Sequence, residues 1–255
     1  MHTIGVIPAR MASSRLPGKP LAKIRGTPMI GHVYHRCRMS RSLNELYIAT
    51  CDDEIRTYCA TIGAPCVMTS DSHERATDRT AEAMHKIEAA TGRKTDVVVM
   101  IQGDEPMVFP EMIDLAMAPI LTDNSIQVVN LMANMDSVAE FEDPNEVKVV
   151  VDLAGNALYF SREPIPSRKK GSTIVPMLKQ VCIIPFRRDY LLRFNEMTQT
   201  PLEIVESVDM MRILENGGKV KMVLSDFRTW SVDTAADLAQ VEAKMQTDPL
   251  LHLYA

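Results

Sequence analysis

Short β-rich runs alternate with amphipathic runs up to residue 133, and this alternation constrains the fold more than any other feature of the chain. Two of the β-rich runs, 4–7 and 97–101, contain no charged or polar side chain. Such runs suit strands that are buried on both faces, as in a parallel sheet. The alternation therefore predicts an α/β fold in which a mostly parallel sheet is flanked by helices.

The individual elements follow from hydrophobic periodicity and from capping and turn residues. Strands are predicted at residues 4–8, 45–49, 65–68, 96–101 and 127–132. Helices are predicted at residues 28–39, 52–62, 77–90 and 111–121, and Asp52 is the predicted N-cap of the second. Beyond residue 133 the pattern predicts a hairpin (147–151 and 157–160), strands at 181–184 and 220–224, and helices at 203–214 and 234–245. No linker interrupts the chain, so one domain with a small sheet extension is expected.

Composition limits the classes of function. Hydrophobic residues make up 46% of the chain and charged residues 24%, as in soluble globular proteins. The formal net charge is -5, whereas proteins that bind nucleic acid usually carry a basic excess. No apolar run approaches the roughly 18 residues of a membrane span, and the N-terminus does not resemble a signal peptide. The five cysteines lack CxxC spacing, which argues against a zinc site and a disulfide framework and favours a cytoplasmic location.

The loop after the first predicted strand, residues 8–21, combines a Pro-Gly bend with the three cations Arg10, Arg15 and Lys19. In open α/β sheets, ligands bind beyond the carboxyl ends of the strands. Free backbone N–H groups together with Arg and Lys side chains suit a polyphosphate. The loop is neither a Walker A motif nor a GxGxxG motif. It is predicted to bind phosphate, and the alternative interpretation is a solvated basic loop.

A second motif, QGDEP at residues 102–106, follows the second uncharged run. A carboxylate at the mouth of a parallel sheet, beside a basic loop, suits Mg²⁺ that bridges triphosphate oxygens. Asp104 is therefore the first candidate metal ligand, although QGDEP by itself could be a simple turn. Asp233 is the best candidate for a second carboxylate. Its other interpretation is the N-cap of the last helix, and the two interpretations do not exclude each other.

Five segments carry a resemblance to a known family and run in the family's order over nearly the whole chain: IPARMASSRLPGKPL, QGDEP, DPNEVKVVVD, ALYFSREPIP and SVDTAADL. The chain resembles the CMP-Kdo synthetases, the cytidylyltransferases of 3-deoxy-manno-octulosonate (Kdo). The resemblance implies a Rossmann-like nucleotidyltransferase fold, a homodimer, CTP and Mg²⁺, and cytoplasmic work on bacterial surface-sugar precursors such as those of lipopolysaccharide. It also implies a single domain, 1–255, with an inserted sugar-binding and dimerisation region at roughly 134–200.

The resemblance assigns roles to individual positions. The catalytic cations that hold the triphosphate would be Lys19, Arg10 and Arg15. Nucleotide binding would involve Ala9, Arg10, Ser13, Lys19, Thr77, Arg79, Gln102, Gly103 and Asp104. The metal would be held by Asp104 and Asp233. Sugar binding would involve Arg162, which faces the acid group, with Gln180, Glu203, Glu206, Asp209 and Met210.

The sequence departs from the family pattern on the presumed sugar side. Gln180 stands where the family has His, Ile184 where it has Tyr, and Met210 where it has Gln. A buried polar group that loses its complement costs about 1–3 kcal/mol. We therefore expect the pocket to suit an acidic sugar other than Kdo itself; the alternative is a tolerant Kdo enzyme. Arg75 replaces a small residue of the family's nucleotide segment, and its role is open between a ligand contact and solvation.

The leading hypothesis is that the anomeric hydroxyl of a sugar acid attacks the α-phosphorus of CTP and pyrophosphate leaves. In such transfers the protein contributes positioning and charge neutralisation. The sequence shows no Ser/His/Asp arrangement, so no covalent intermediate is expected. Two alternatives are a nucleotidyltransferase for another acceptor, such as a polyol phosphate, and a non-catalytic nucleotide-binding module. His73, close to Thr77, is a weaker candidate for a nucleotide contact.

Overall fold

The computed structural model describes residues 1–13, 15–172 and 174–254. Ser14, one of the two serines in the predicted phosphate loop, lies outside the described residues. The chain divides into two compact units, Met1–Asp114 with Thr229–Ala255, and Leu115–Arg228. Among the described residues, no helix has the length and apolar character needed to cross a membrane. The expected single domain with an insertion at roughly 134–200 stays a prediction.

The elements of the first half follow in chain order. They are β1 (Thr3–Pro8), β2 (Lys23–Ile24), β3 (Thr27–Pro28), α1 (Met29–Cys37), β4 (Glu45–Thr50), α2 (Asp53–Thr61), β5 (Cys66–Met68), α3 (Ala76–Thr91), β6 (Val97–Ile101) and α4 (Pro110–Thr122). The second half contains β7 (Val129–Asn134), α5 (Val138–Glu142), β8 (Lys148–Val151), β9 (Ala157–Ser161), β10 (Leu178–Val181), β11 (Ile183–Arg187), α6 (Arg188–Glu196), α7 (Pro201–Glu206), α8 (Met210–Glu215), β12 (Lys221–Ser225) and α9 (Ala235–Lys244).

The first unit is built on a parallel sheet. Its strands lie in the order β6-β1-β4-β5, and β1 pairs in parallel with both neighbours, with Ile4 opposite Glu45 on one side and Val98 on the other. The side chains of β6 are all buried, as the uncharged run predicts. Because the strands are parallel, the loops that follow β1 and β6 leave the sheet at the same edge. The predicted α/β fold is confirmed.

The second unit carries a mostly antiparallel sheet in the order β12-β7-β10-β8-β9, in which only β12 and β7 are parallel. The predicted hairpin forms as β8 and β9, with Lys148 opposite Ser161. Its turn bonds to the far edge of the sheet, where Met222 N–H donates to Gly155 O at 2.8 Å. Phe186 of β11 forms an isolated antiparallel bridge with Val128, the residue before β7. The predicted small sheet extension therefore forms, and the turn of its hairpin is hydrogen-bonded to β12.

Two sequence predictions in this unit were wrong in detail. The single helix predicted at 203–214 is two helices, because Ser207 adopts φ +53° and ends α7, and α8 begins three residues later. The strand predicted at 181–184 is the end of β10 and the start of β11, interrupted at Cys182. Helix α6 was not predicted, although it buries Leu191 and Phe194 on one face.

Candidate active site

The first βα loop leaves β1 and folds back on itself. Ala9 extends the strand pairing, since its N–H donates to Ala49 O at 2.9 Å. The loop closes where Gly18 N–H donates to Met11 O at 3.2 Å, with Gly18 at φ +71°. A side chain at this φ would be strained, so glycine permits the closure. The chain then enters a short 3-10 helix at Lys19–Leu21, and this turn directs Lys19 back towards the carboxyl edge of the sheet.

Asp52 fixes the other side of this loop. It is the N-cap residue of α2, as predicted, but its side chain makes no hydrogen bond to the helix. Instead, Oδ2 accepts the backbone N–H of Met11 at 2.7 Å. The Asp52 carboxylate therefore holds the loop after β1 rather than the start of α2, and the sequence analysis did not predict this contact.

Lys19 lies between two carboxylates from distant parts of the chain. Its ammonium is 3.0 Å from Oδ2 of Asp104 and 3.1 Å from Oδ1 of Asp233. The Lys19 side chain is only 14% exposed. Burial lowers the pKa of this ammonium, but the charges of the two aspartates and the hydrogen bonds to them outweigh burial, so the pKa is raised. Lys19 is therefore a fixed cation at the edge of the parallel sheet.

The loop after β6 brings Asp104 to this point. Gly103 is in close contact with the first strand, because a Cβ there would lie 3.0 Å from Ile30 Cδ1 and 3.4 Å from Pro8 O. Asp104 O accepts the backbone N–H of Val232 at 2.9 Å. This bond joins the loop of Asp104 to the segment that contains Asp233. The backbone therefore holds the two aspartates next to each other.

Asp233 precedes α9 but does not cap it. The N-cap is Thr234, which forms a capping box with Asp237. Asp237 Oδ2 also accepts the backbone N–H of Asp233 at 3.0 Å. The carboxylate of Asp233 is thus available for Lys19 and for Arg15, whose Nη2 lies 3.0 Å from Oδ1. The N-cap interpretation of Asp233 was therefore wrong, and the Thr-x-x-Asp spacing of a capping box was the signal that could have shown it. The metal-ligand interpretation stays a prediction.

Four further residues that were predicted to bind the nucleotide or its triphosphate are exposed or partly exposed. Arg10 is exposed and forms no ion pair within the part of the chain that the structure describes. Arg15 is half exposed, with 50% of its side chain in solvent. Ser13 Oγ accepts the backbone N–H of Leu16 at 3.4 Å, so the serine stabilises the loop. Gln102 is partly exposed at the start of the QGDEP turn.

Donor chemistry at this cluster fits a hard divalent cation. Oδ1 of Asp104 is buried and has no hydrogen-bond partner among the described residues. An unpaired buried carboxylate oxygen is costly unless a cation or ligand satisfies it. No group of three or more His, Cys, Asp or Glu side chains in the described ranges is arranged to hold a metal. Mg²⁺ usually takes only one or two carboxylates from the protein and completes its octahedron with substrate phosphates and water, so Asp104 and Asp233 would be enough protein ligands.

The segment at the start of α3 holds a buried guanidinium. Arg79 is 3% exposed, and its Nη1 donates to Thr69 Oγ1. Its Nη2 is buried without a hydrogen-bond partner among the described residues. Thr77, two residues earlier in α3, is fully buried. His73 bonds instead to Glu82 through Nε2, so its ring is already engaged within the protein.

In the second unit, Arg162 follows β9 and is held by backbone carbonyls. Nε donates to Glu206 O at 3.1 Å, and Nη1 donates to Asn145 O at 2.9 Å and Pro144 O at 3.2 Å. The Glu206 carboxylate accepts the backbone N–H of Arg162 at 2.7 Å and the hydroxyl of Tyr159 at 3.0 Å. Arg162 and Glu206 are therefore brought together, as the sequence suggested. Tyr159 was missed, although strand alternation places it on the same face as Ser161.

Glu203, which was predicted to bind the sugar, is buried and bonded to other residues of the protein. It is fully buried, and its two carboxylate oxygens accept Nε and Nη2 of Arg212 at 2.7 and 2.6 Å. It also completes the capping box of α7 with Thr200. These contacts give the carboxylate a role in joining α7 to α8, and they do not support the expected sugar contact.

The three positions that depart from the family pattern lie in different environments. Ile184 and Met210 are buried, with 1% and 0% of their surface exposed. Gln180 is partly exposed, and its Nε2 donates to Asn130 Oδ1 at 2.5 Å. Asp209 is the partly exposed N-cap residue of α8. Of the three departures, Gln180 is therefore the one whose surface a ligand can reach in this structure.

Comparison with known proteins gives matches over nearly the whole chain. A family model described as cytidylyltransferase matches residues 4–223. A 3-deoxy-manno-octulosonate cytidylyltransferase of Geobacter metallireducens is 41% identical over 255 residues, which cover 96% of this chain and 98% of that protein. A protein of the same description from Geotalea daltonii is 39% identical over 256 residues, covering 96% and 99%. A solved structure of CMP:2-keto-3-deoxy-manno-octonic acid synthetase complexed with CTP is 36% identical, with a TM-score of 0.88 and coverage of 96% and 99%.

Proposed function

Because the chain belongs to the 3-deoxy-manno-octulosonate cytidylyltransferase family, we propose that it transfers CMP from CTP to the anomeric hydroxyl of Kdo or a closely related acidic sugar. The observation that carries the proposal is the Lys19–Asp104–Asp233 cluster at the carboxyl edge of the parallel sheet. Fixed cations and carboxylates together are what a nucleoside triphosphate and its counter-ion require. The chain is accordingly a cytidylyltransferase. The identity of its acceptor sugar is what we propose.

The cations of the first loop would stabilise the leaving pyrophosphate. Arg10 is exposed, and Arg15 is half exposed, so both side chains can turn to a triphosphate with little disruption of the core. Lys19 is fixed, and its raised pKa keeps it protonated at neutral pH. Preorganised charge of this kind stabilises the developing negative charge without reorganisation during the reaction.

We propose Mg²⁺ as the metal, held by Asp104 and Asp233. When bound, it would neutralise phosphate charge and polarise the α-phosphate. Oδ1 of Asp104, which has no hydrogen-bond partner among the described residues, supports this assignment. The other oxygen, Oδ2, accepts a hydrogen bond from Lys19 Nζ. Lys19 therefore also orients Asp104, so that Oδ1 remains directed away from the ammonium.

Arg162 would meet the carboxylate of the acidic sugar. Its guanidinium is anchored through Nε and Nη1, and Nη2 makes no hydrogen bond to the described residues. An anchored guanidinium with a remaining N–H pair suits a carboxylate. Arg79, with its buried Nη2, and Thr77 are proposed to serve the nucleotide. The homodimer, the cytoplasmic location and the role in surface-sugar synthesis remain predictions from the family resemblance.

The decisive experiment is pyrophosphate release from CTP and Mg²⁺ with a panel of sugar acids that includes Kdo, followed by mass spectrometry of the CMP-sugar. Reactions without sugar and with a polyol phosphate are the controls. We expect release only with acidic sugars. Release with the polyol phosphate alone, or no release with any sugar acid, would overturn the proposal.

A further inference from the structure

Lys148, the first residue of β8, is a fully buried lysine that belongs to none of the sites above. Its ammonium donates to Asp143 O at 2.8 Å and to Glu146 O at 2.7 Å. Within the described ranges it forms no ion pair with a carboxylate. A buried ammonium is costly to desolvate, and a methionine of similar length would fill the same space. What the methionine could not do is hold the two carbonyl groups.

The turn that Lys148 holds also contacts Arg162. The turn closes where Glu146 N–H donates to Asp143 O at 3.2 Å, and Asp143 Oδ1 accepts the N–H of Asn145 at 2.8 Å. Of its four carbonyl groups, the outer two accept from Lys148. The inner two, Pro144 O and Asn145 O, accept from Nη1 of Arg162 at 3.2 and 2.9 Å. The carbonyl groups of one turn therefore accept hydrogen bonds from both side chains.

Strand register explains why the two cations meet at this turn. Lys148 lies opposite Ser161 in the β8–β9 pair, and Arg162 is the next residue of the chain. Burial lowers the pKa of the Lys148 ammonium and the charge of Arg162 lowers it further, against the raising effect of Asp143 and Glu146. The like charges are kept apart by the turn, whose carbonyl dipoles point at both of them.

We propose that Lys148 is a positioning residue for the sugar acid: it fixes the 143–146 turn so that Arg162 presents Nη2 to the substrate carboxylate. The inference rests on the proposed function, in which Arg162 binds that carboxylate. Without the ammonium, Asp143 O and Glu146 O lose their buried donors, and the turn can rotate. Pro144 O and Asn145 O then move with it, and the guanidinium loses two of its three anchors.

The test is steady-state kinetics of Lys148→Met and Arg162→Met, alone and combined, with the KM values for Kdo and CTP measured separately. Lys221→Met is the matched control, because Lys221 also donates to a carbonyl of this unit, Ala154 O at 2.5 Å, away from Arg162. We expect Lys148→Met to raise the KM for Kdo about tenfold and to leave that for CTP within about twofold, as for one weakened charged hydrogen bond. Lys221→Met should change neither.

The double variant separates positioning from general destabilisation. If Lys148 acts through Arg162, Lys148→Met adds nothing to the KM for Kdo once Arg162 is Met. Equal rises in both KM values, or a full additional rise in the double variant, would overturn the inference. If Lys148→Met does not fold, Lys148→Gln, which retains an amide donor, replaces it and should give a smaller rise. An unchanged KM for Kdo in Arg162→Met would overturn the proposed role of Arg162 and this inference together, whereas an impaired Arg162→Met beside a normal Lys148→Met overturns this inference alone.

Discussion

The ammonium of Lys19 lies 3.0 Å from Oδ2 of Asp104, although the two residues are 85 positions apart in the chain. The contact arises because β1 and β6 are parallel neighbours, so the loops after them leave the sheet together. It leaves Oδ1 of the same carboxylate buried and without a partner among the described residues. The two oxygens of one carboxylate therefore differ: Oδ2 is neutralised by Lys19, and Oδ1 has no partner among the described residues.

Lys19→Met is expected to lower kcat/KM by about 10²–10³, because a preorganised charge at the reacting phosphates is lost. The fold should persist, since the lysine lies at a loop and not within the apolar core. Pyrophosphate release measures the first effect and thermal unfolding the second. Lys23→Met, at an exposed lysine on β2, is the control. Near-native turnover of Lys19→Met would contradict the assignment of this loop to the triphosphate.

Asp104→Asn tests the metal. The amide supplies a neutral and weaker oxygen, so the Mg²⁺ concentration for half-maximal activity should rise by roughly tenfold or more. A titration of activity against Mg²⁺ measures this, and Asp226→Asn, at an exposed aspartate, is the control. Full activity of the wild type in excess chelator would show that no metal is required and would remove the basis of the assignment.

Asp248→Ala should destabilise the first unit by about 3–5 kcal/mol, the cost of leaving a buried charge without its partner. The side chains of Arg36 and Asp248 are both fully buried, with Nη2 of Arg36 and Oδ1 of Asp248 at 2.5 Å. Asp136→Ala removes an exposed pair with Arg228 at 3.2 Å and should cost less than about 1 kcal/mol. Urea unfolding of both variants gives the comparison. Equal effects would mean that the buried pair contributes no more than a surface one.

Glu82 should make stability depend on pH in the acid range. Burial raises the pKa of its carboxyl, but hydrogen bonds from Lys86, Ser70 N–H and His73 outweigh burial, and the pKa falls from 4.5 to about 2. Because the folded-state pKa is the lower one, this stabilisation is complete above about pH 4.5 and is lost as the pH falls towards about 2. Glu82→Gln should therefore flatten the stability profile between these pH values in urea unfolding. Parallel profiles for the variant and the wild type would refute it.

Much of the first unit could be predicted from local sequence, whereas the break at Ser207 could not. The uncharged runs at β1 and β6 are local signals of burial, and they also place the loops that carry Lys19 and Asp104. The residues around Ser207 continue a helical pattern, so periodicity alone predicts one helix. The Glu206 carboxylate is held by Tyr159 and by the backbone of Arg162, which are distant in sequence. A helix end that depends on such contacts has no local signal.

The hydrogen bonds around Gln180 indicate which kind of sugar substituent the site would favour. Asn130 is fully buried, and its Nδ2 donates to Leu131 O at 2.8 Å and to Val181 O at 2.7 Å. Its Oδ1 must therefore face Gln180, which donates through Nε2 at 2.5 Å. Oε1 of Gln180 has no hydrogen-bond partner among the described residues. The position thus offers a hydrogen-bond acceptor, and a sugar that presents an N–H donor there would be favoured.

We therefore expect kcat/KM to be higher for an amino- or acylamino-substituted octulosonic or nonulosonic acid than for Kdo. A site that hydrogen-bonds a substrate group discriminates strongly against analogues without that group. Gln180→His should shift the ratio of the two kcat/KM values towards Kdo, because it restores the residue that the family pattern has at this position. Gln199→His, the same substitution at an exposed glutamine, is the control and should leave the ratio unchanged. If Kdo turns over at least as well as every alternative in the wild type, the protein is a Kdo enzyme with a remade pocket, and the specificity prediction is wrong.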